Sequence, residues 1–259
     1  MPSLPLPEKT MQVDSLHVEI YADREKMGAA AARAVAERMK EVIAEKGLVT
    51  MVFAAAPSQN EFLATLTSLK GIGWDKVIAF HMDEYIGLPA DAPQGFGNFL
   101  RERLFDLVRP STVYYLNGQA ADPEQECGRY GALLEAHPVD IVCAGVGENG
   151  HLAFNDPPVA DFADPVKVKV VELDETCRWQ QVHDGCFPNF DSVPTHALTM
   201  TISALMATRW IYTVVPGPTK AQAIKDTLKG AIGAHCPATA LRAHPKAVLY
   251  VDRDSAALL

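Results

Sequence analysis

The chain has 259 residues, of which 48% are hydrophobic and 21% charged, and its formal net charge is -9. This length fits one large α/β domain covering residues 1–259, and the sequence contains neither a linker-like stretch nor a repeat. The acidic balance argues against nucleic acid as a partner. An anionic metabolite would need a local site that concentrates positive charge and backbone N–H groups.

The sequence shows no pattern typical of an export signal, a membrane span or a disulfide framework. Residues 1–8 contain neither a basic segment nor a long apolar one, and no later apolar run reaches the roughly 18 residues that a membrane span needs. The five cysteines are odd in number and show no metal-finger spacing, which is typical of reduced, structural thiols. We therefore expect a cytoplasmic protein that has no membrane partner.

Predicted helices and strands alternate along the chain. Asp23, Ser58 and Asp122 are expected N-caps, and Gly47 is expected to end the first helix. Helices are predicted at 24–46, 58–69, from 123 onward and at 219–229, and strands at 48–54, 76–80, 139–145, 167–173, 196–201, 210–215 and 247–251. The pattern predicts an α/β fold, a single three-layer domain with a mainly parallel, Rossmann-like sheet covered by helices on both faces. Ligands of such sheets bind beyond the carboxyl ends of the strands.

Two adjacent carboxylates, Asp83 and Glu84, follow the buried strand predicted at 76–80. Acidic side chains at the end of a core strand are candidates for general acid or base catalysis. The same residues would equally fit a turn cap or an arginine partner. Spacing alone does not separate these interpretations.

A glycine-rich segment, residues 145–156, follows the strand predicted at 139–145. Its Gly-x-Gly-x-x-Gly pattern is a weak dinucleotide signal, because the residues that follow would end a helix early, and a nicotinamide site is disfavoured. His151, beside Asn149 and Asp156, is a candidate proton shuttle. A structural histidine bonded to a loop carbonyl is the alternative.

The motif Met-Asp-Glu-Tyr-x-Gly-Leu at 82–88, followed by Gly-x-Gly-x-x-Gly-His-x-Ala-Phe-Asn at 145–155, resembles the glucosamine-6-phosphate deaminase/isomerase family. The resemblance covers about residues 20 to 252. It also includes the segments 95–100, 115–118, 193–199, 217–221 and 244–247. 6-Phosphogluconolactonase is a more distant relative of this family.

The resemblance implies conversion of glucosamine 6-phosphate and water to fructose 6-phosphate and ammonia, without a metal or organic cofactor, by a homo-oligomer. It assigns to Asp83 the proton transfer between C1 and C2, with Glu84 in support. It assigns to His151 the opening of the sugar ring, with Asn149 and Asp156 holding the imidazole. One base that reaches both carbons and one acid at the ring oxygen are what this chemistry needs.

Substrate binding is expected at two places. The phosphate is assigned to Lys220 and to the loop that carries Ser58 and Gln59, where a helix start attracts anions. Backbone N–H groups of the turn containing Gly147 and Gly150 are candidate donors to the charge of the enediol. Lys220 would alternatively be a solvated lysine at a helix start.

The chain departs from the family pattern in three places. The phosphate loop, residues 54–60, contains alanine and proline where the family has glycine and threonine. His183 falls near a family arginine, and Arg178 is the candidate replacement, since histidine cannot form a bidentate fork. Asn149 and Asp156 replace an aspartate and a glutamate. The sugar epimer and the retention of deamination therefore stay open.

Three alternatives remain. The chain would be an isomerase or deaminase of another hexose or hexosamine phosphate, a 6-phosphogluconolactonase, or a non-catalytic sugar-phosphate sensor. Lactonases usually continue the Gly-His turn with Thr-Ala-Ser-Leu-Phe-Pro, unlike Leu-Ala-Phe-Asn at 152–155. Sensors of this kind usually carry a DNA-binding domain, and residues 1–12 are too few for a helix-turn-helix.

Overall fold

The computed structural model describes residues 5–259, in which strands and helices alternate. The strands are β1 Lys9–Val13, β2 Leu16–Tyr21, β3 Val49–Phe53, β4 Val77–His81, β5 Asp83–Tyr85, β6 Thr112–Tyr114, β7 Ile141–Ala144, β8 Val168–Glu172, β9 His196–Met200, β10 Trp210–Val215 and β11 Ala247–Asp252. The helices are α1 Arg24–Lys46, α2 Asn60–Ser68, α3 Phe96–Leu100, α4 Asp106–Val108, α5 Pro123–Ala136, α6 Glu175–His183, α7 Ile202–Met206 and α8 Ala221–Lys229. A π-helical segment, Arg101–Phe105, joins α3 to α4. None of the helices within residues 5–259 has the length and apolar character that crossing a membrane requires.

Eight strands form the central sheet in the order β1-β2-β11-β10-β7-β3-β4-β6. Only β1 and β2 pair antiparallel, and the other neighbours pair parallel. From β3 the chain adds β4 and β6 in one direction, and from β7 it adds β10 and β11 in the other. The order therefore reverses between β3 and β7, where the sheet opens a crevice beyond its carboxyl ends.

Helices cover both faces of this sheet, as the sequence predicts. Met51 and Phe53 of β3 pack into one buried cluster with residues of α1 such as Met39. Val52, which points to the opposite face, packs into a second cluster with Ile224 of α8. Alternation of side chains along each strand is what divides the core into two layers.

A second sheet of three antiparallel strands, in the order β5-β9-β8, lies apart from the central one. The strands predicted at 167–173 and 196–201 exist, but they belong to this small sheet and not to the parallel one. Asp83 pairs with Thr199 in its register. The small sheet matters for the site because its strand β5 directly follows β4 and fixes the backbone of Asp83.

Most predicted helix ends are confirmed. The Asp23 side chain accepts from the backbone N–H of Lys26, and Gly47 ends α1 with a φ of 81°. Asp122 caps α5 in the same way.

The N-cap assigned to Ser58 is wrong. A 3-10 turn at Pro57–Gln59 precedes α2, because Pro57 starts the helical geometry before Ser58 is reached. Strands β1 and β2 were missed by the sequence analysis, since β1 is an edge strand with mostly exposed side chains and little apolar signal.

Candidate active site

A cavity lies beyond the carboxyl ends of β3, β4, β7 and β10, four neighbouring strands at the reversal of the sheet. Five of the residues predicted from sequence line it: Ser58, Asp83, Gly147, His151 and Lys220. Its apolar wall includes Met82, Phe96 and Phe154, and two glutamines of α6 complete the lining. Segments far apart in sequence therefore meet in one cleft, as parallel topology dictates.

Asp83 begins β5, immediately beyond β4, and is almost fully buried. Burial raises the pKa of its carboxyl well above the usual range, and the charge of neighbouring Glu84 adds to this effect. Its backbone carbonyl lies 2.9 Å from Nδ1 of His81. The carboxyl group is thus held in place and is more basic than an exposed aspartate.

Glu84 points away from the cavity lining. Its carboxylate accepts backbone hydrogen bonds from Tyr85 and Phe96 at 3.0 Å and from Gly97 at 2.8 Å. Burial raises the pKa of Glu84, and these three donors oppose the rise. Glu84 therefore anchors the start of α3 next to Asp83, which is a supporting position.

His151 follows β7 and lines the cavity, and its Nδ1 lies 2.9 Å from Oδ1 of Asp156. Asn149 completes the group, because its amide donates to Asp156 at 2.9 Å and its oxygen accepts from the backbone N–H of His151 at 3.1 Å. Burial disfavours a charged Asp156, but attraction to His151 and the amide of Asn149 lower its pKa overall. A charged Asp156 thus lies against Nδ1 and restricts the orientation of the imidazole. Asn149 and Asp156 act from behind His151 and do not line the cavity.

Two glycines of the turn after β7 leave space for neighbouring groups. A side chain at Gly147 would place its Cβ 2.1 Å from Cε1 of the His151 ring, a contact that no Cβ tolerates. Gly150 has a φ of 81°, and a Cβ there would meet Sγ of Cys236 at 2.5 Å. Gly147 lines the cavity, whereas Gly150 only shapes the turn.

Lys220 lies at the opposite side of the cavity, in the turn between β10 and α8, and is only 4% exposed. Burial lowers the pKa of its ammonium group, while the nearby carboxylates of Asp184 and Glu148 oppose that lowering. A buried cation that lines a cavity attracts an anionic ligand strongly, because little water screens it.

The turn after β3 places Ser58 in the lining and Gln59 just behind it. The Gln59 amide donates to Oγ of Ser58 and to the backbone carbonyl of Val214, both at 3.1 Å. Gln59 therefore ties this turn to the end of β10. Its role is to position Ser58 near Lys220, and its own side chain does not line the cavity.

Arg178 and His183, the two predicted replacements for the family arginine, do not line the cavity. Arg178 donates to the carbonyls of Phe190 and Val193 at 3.0 and 2.9 Å, so its guanidinium holds the loop after α6. His183 has a side chain 55% exposed, with Nδ1 3.4 Å from a carboxylate oxygen of Glu148. Both lie on α6, whose cavity-facing side presents other residues.

Gln180 and Gln181 are the cavity residues that sequence reasoning missed. Both are buried, and Oε1 of Gln180 accepts from the backbone N–H of Glu148 at 2.7 Å. Gln180 thus fixes the turn that contains Gly147. The available signal was a helix over Glu175–His183 with two adjacent buried amides, but that helix was not predicted.

Comparisons with known proteins agree with this geometry. Residues 22–250 match the family of glucosamine-6-phosphate isomerases/6-phosphogluconolactonase. The chain belongs to this family. A glucosamine-6-phosphate deaminase of Bacillus cytotoxicus is 33% identical over 243 residues, which covers 94% of this chain and 89% of the relative. One from Bacillus thuringiensis is 36% identical over 220 residues, 85% of this chain and 82% of the relative.

Solved structures of the family share the fold. A structure described as a monomeric glucosamine-6-phosphate deaminase superposes with a TM-score of 0.86 at 31% identity, covering 96% of this chain and all of the other. A 6-phosphogluconolactonase of Shewanella baltica has a TM-score of 0.76 at 18% identity, covering 95% of this chain and 98% of the other. The second likeness concerns the fold alone.

Proposed function

We propose that the chain catalyses the conversion of glucosamine 6-phosphate and water to fructose 6-phosphate and ammonia. The observation that carries this proposal is the sharing of one cavity by a buried carboxyl, Asp83, an oriented imidazole, His151, and a buried cation, Lys220. The deaminases among the relatives support the choice of reaction. This reaction is a deaminating aldose–ketose isomerisation.

Ring opening is the first step. His151, in its protonated form, donates a proton to the ring oxygen of the cyclic sugar as the C1 hydroxyl loses one, and the open-chain aldehyde forms. Asp156, 2.9 Å from Nδ1, keeps the imidazole in position during the transfer. Gly147 allows the imidazole to pack against the backbone of the turn.

Isomerisation follows ring opening. Asp83, as a carboxylate, removes the C2 proton and returns it to C1, so that the C2 amine becomes an iminium. Water then adds to C2, and ammonia leaves. The raised pKa of Asp83 makes it a stronger base than an ordinary carboxylate once it is ionised. Backbone N–H groups of the turn after β7 are candidate donors to the negative charge that develops on O1.

The phosphate of the substrate is placed on Lys220 and the turn that carries Ser58. No side chain caps the 3-10 turn at Pro57–Gln59, so its start is open to an anion. Gln181 lies in the same lining and offers a neutral amide. A single buried lysine with neutral donors would bind phosphate through fewer charge-assisted contacts.

The substrate is a small soluble molecule, and the expected cytoplasmic location and homo-oligomer remain predictions. The relative whose structure is described as monomeric shows that this fold does not require partner subunits for activity in every member. Sedimentation of this protein with and without substrate would determine its oligomeric state.

The direct test is the release of ammonia and fructose 6-phosphate from glucosamine 6-phosphate by the wild type and by Asp83→Asn. We expect release by the wild type and a loss of about 100-fold or more in kcat for the variant, the scale of a lost general base. Asn is nearly isosteric, so the variant should fold. Glu84→Gln serves as the neighbouring control and should keep more activity than Asp83→Asn.

Three other compounds should be assayed beside the main substrate: galactosamine 6-phosphate, 6-phosphogluconolactone, and fructose 6-phosphate in the absence of ammonia. The last of these tests for aldose–ketose isomerisation without an amine. A folded wild type that releases no ammonia from glucosamine 6-phosphate but turns over one of these compounds would reassign the substrate. Full activity of Asp83→Asn would remove Asp83 from its role as base.

A further inference from the structure

Three potential metal ligands converge behind the cavity. Nδ1 of His151, a carboxylate oxygen of Asp156 and Sγ of Cys177 all lie within 4.8 Å of one another, and all three residues are buried. Cys177 belongs to α6 and is 1% exposed. The proposed reaction uses His151 and Asp156 but assigns no role to this thiol.

The ligand atoms are not fully satisfied by one another. Nδ1 of His151 is buried and makes no directed hydrogen bond within the described part of the chain, although Oδ1 of Asp156 lies only 2.9 Å away. Asp156 therefore lies beside this nitrogen without a well-aligned hydrogen bond. A buried ring nitrogen of this kind can coordinate a cation that enters the cluster.

The geometry points to an inhibitory Zn²⁺ site formed by His151, Asp156 and Cys177, with water as the fourth ligand. Nitrogen, carboxylate and thiolate are the donors that Zn²⁺ prefers. Usual Zn²⁺ bond lengths put tetrahedral ligand atoms roughly 3.3 to 3.8 Å apart. The three atoms therefore need to move by about 1 Å or less.

Charge balance also favours the site. Zn²⁺ displaces to solvent the thiol proton of Cys177 and any proton on Nδ1 of His151, and it is then neutralised by one thiolate and one carboxylate, with His151 neutral. A neutral assembly is less costly to bury than an isolated ion. Bound Zn²⁺ occupies Nδ1 of His151 and a carboxylate oxygen of Asp156, so the imidazole is no longer held in the position that ring opening needs.

The test measures binding of Zn²⁺ to metal-free protein by titration calorimetry, with no sugar present. We expect one strong site per chain and an enthalpy that depends on the ionisation enthalpy of the buffer, because a proton is released. Cys177→Ser should weaken Kd at least tenfold. Cys186→Ser, at a half-buried thiol outside the cluster, is the matched control and should bind as the wild type does.

Cobalt(II) supplies a second readout. The wild type and Cys186→Ser should show thiolate-to-cobalt charge-transfer absorption in the near ultraviolet, and Cys177→Ser should not. Absence of this band in the wild type, or Zn²⁺ binding unchanged by Cys177→Ser, would overturn the proposal. Circular dichroism checks that the variants fold. If Cys177→Ser does not fold, the wild-type cobalt spectrum still decides the question.

This inference stands apart from the substrate assignment, because binding is measured without turnover. If the protein also converts glucosamine 6-phosphate, Zn²⁺ should inhibit it, and a chelator should restore the activity. Failure of the deaminase assay would leave the calorimetric and cobalt results interpretable.

Discussion

The side of the cavity that holds Asp83 and His151 differs in construction from the side that holds Lys220. Asp83 and His151 are each fixed by groups close to them in sequence, such as the carbonyl contact with His81 and the amide of Asn149. Around Lys220, the neighbouring charges and amides come from α6 and from the turn after β7, many residues away.

This difference has a chemical consequence. Proton transfer needs reacting groups at fixed distances, and short local segments supply such rigidity at little entropic cost. Phosphate binding tolerates more variation, because an anion can be held by several combinations of cations and backbone donors. We therefore expect the phosphate-binding residues to tolerate substitution better than the Gly-His turn.

The largest effect is expected from a substitution at Gly147, where the turn after β7 packs most closely against His151. Gly147→Ala places a Cβ about 2 Å from the His151 ring, so the imidazole must leave its position. We expect kcat to fall by about 100-fold, the scale of misplaced general acid catalysis. Steady-state kinetics at saturating substrate measures this loss.

Gly128→Ala is the control for that change, since nothing lies within 4 Å of an added Cβ at this helical site. It should keep wild-type kinetics. Wild-type kcat in Gly147→Ala would show that His151 does not need its present position.

Lys220→Met tests the phosphate-binding side of the cavity. Methionine keeps the length of the buried side chain but removes its charge, so phosphate loses its buried cation. We expect KM to rise by about 10- to 100-fold, the equivalent of 1.5 to 3 kcal/mol for a charge-assisted hydrogen bond, with a smaller change in kcat. Lys225→Met on the same helix is an exposed control that should leave KM unchanged.

A loss confined to kcat in Lys220→Met would contradict a binding role and place Lys220 among the groups that act on the transition state. Unchanged kinetics would indicate that the phosphate binds elsewhere in the cavity.

The same contrast explains what the sequence could predict. Asp83 and His151 follow apolar strands directly, so pattern and topology together bring them to one edge of the sheet. Gln180 and Gln181 depend on where α6 packs, which no local pattern encodes, and Arg178 turned out to hold a loop. Strands β8 and β9 were predicted, but the small antiparallel sheet was missed because β5 joins it through a pairing across more than 100 residues, as between Asp83 and Thr199.

A third prediction concerns the pH dependence of kcat/KM, which reports on Asp83. Because burial raises the pKa of Asp83, and the base must be ionised to remove the C2 proton, kcat/KM should fall as pH decreases through that raised pKa. The acid limb should therefore lie above the range of an ordinary aspartate. A pH–rate profile with its limb near the usual carboxylate value would show that Asp83 is more hydrated during catalysis than in this structure.

The last prediction concerns stability, through His81 beneath the site. Burial lowers the pKa of His81 to about 4 from 6.5, and the neutral ring contacts the carbonyl of Asp83 and accepts from the backbone N–H of Leu116. Between pH 6.5 and about 4 the unfolded chain binds a proton at this residue that the folded chain does not, so wild-type stability falls as pH decreases.

His81→Gln removes this proton linkage. The variant should be less stable than the wild type at pH 7, because it loses two buried hydrogen bonds, and the difference should narrow by up to about 3 kcal/mol as pH falls to 4. Urea denaturation at several pH values measures the change, with His17→Gln at a partly exposed ring as the control. A constant difference across this range would mean that folding does not lower the pKa of His81.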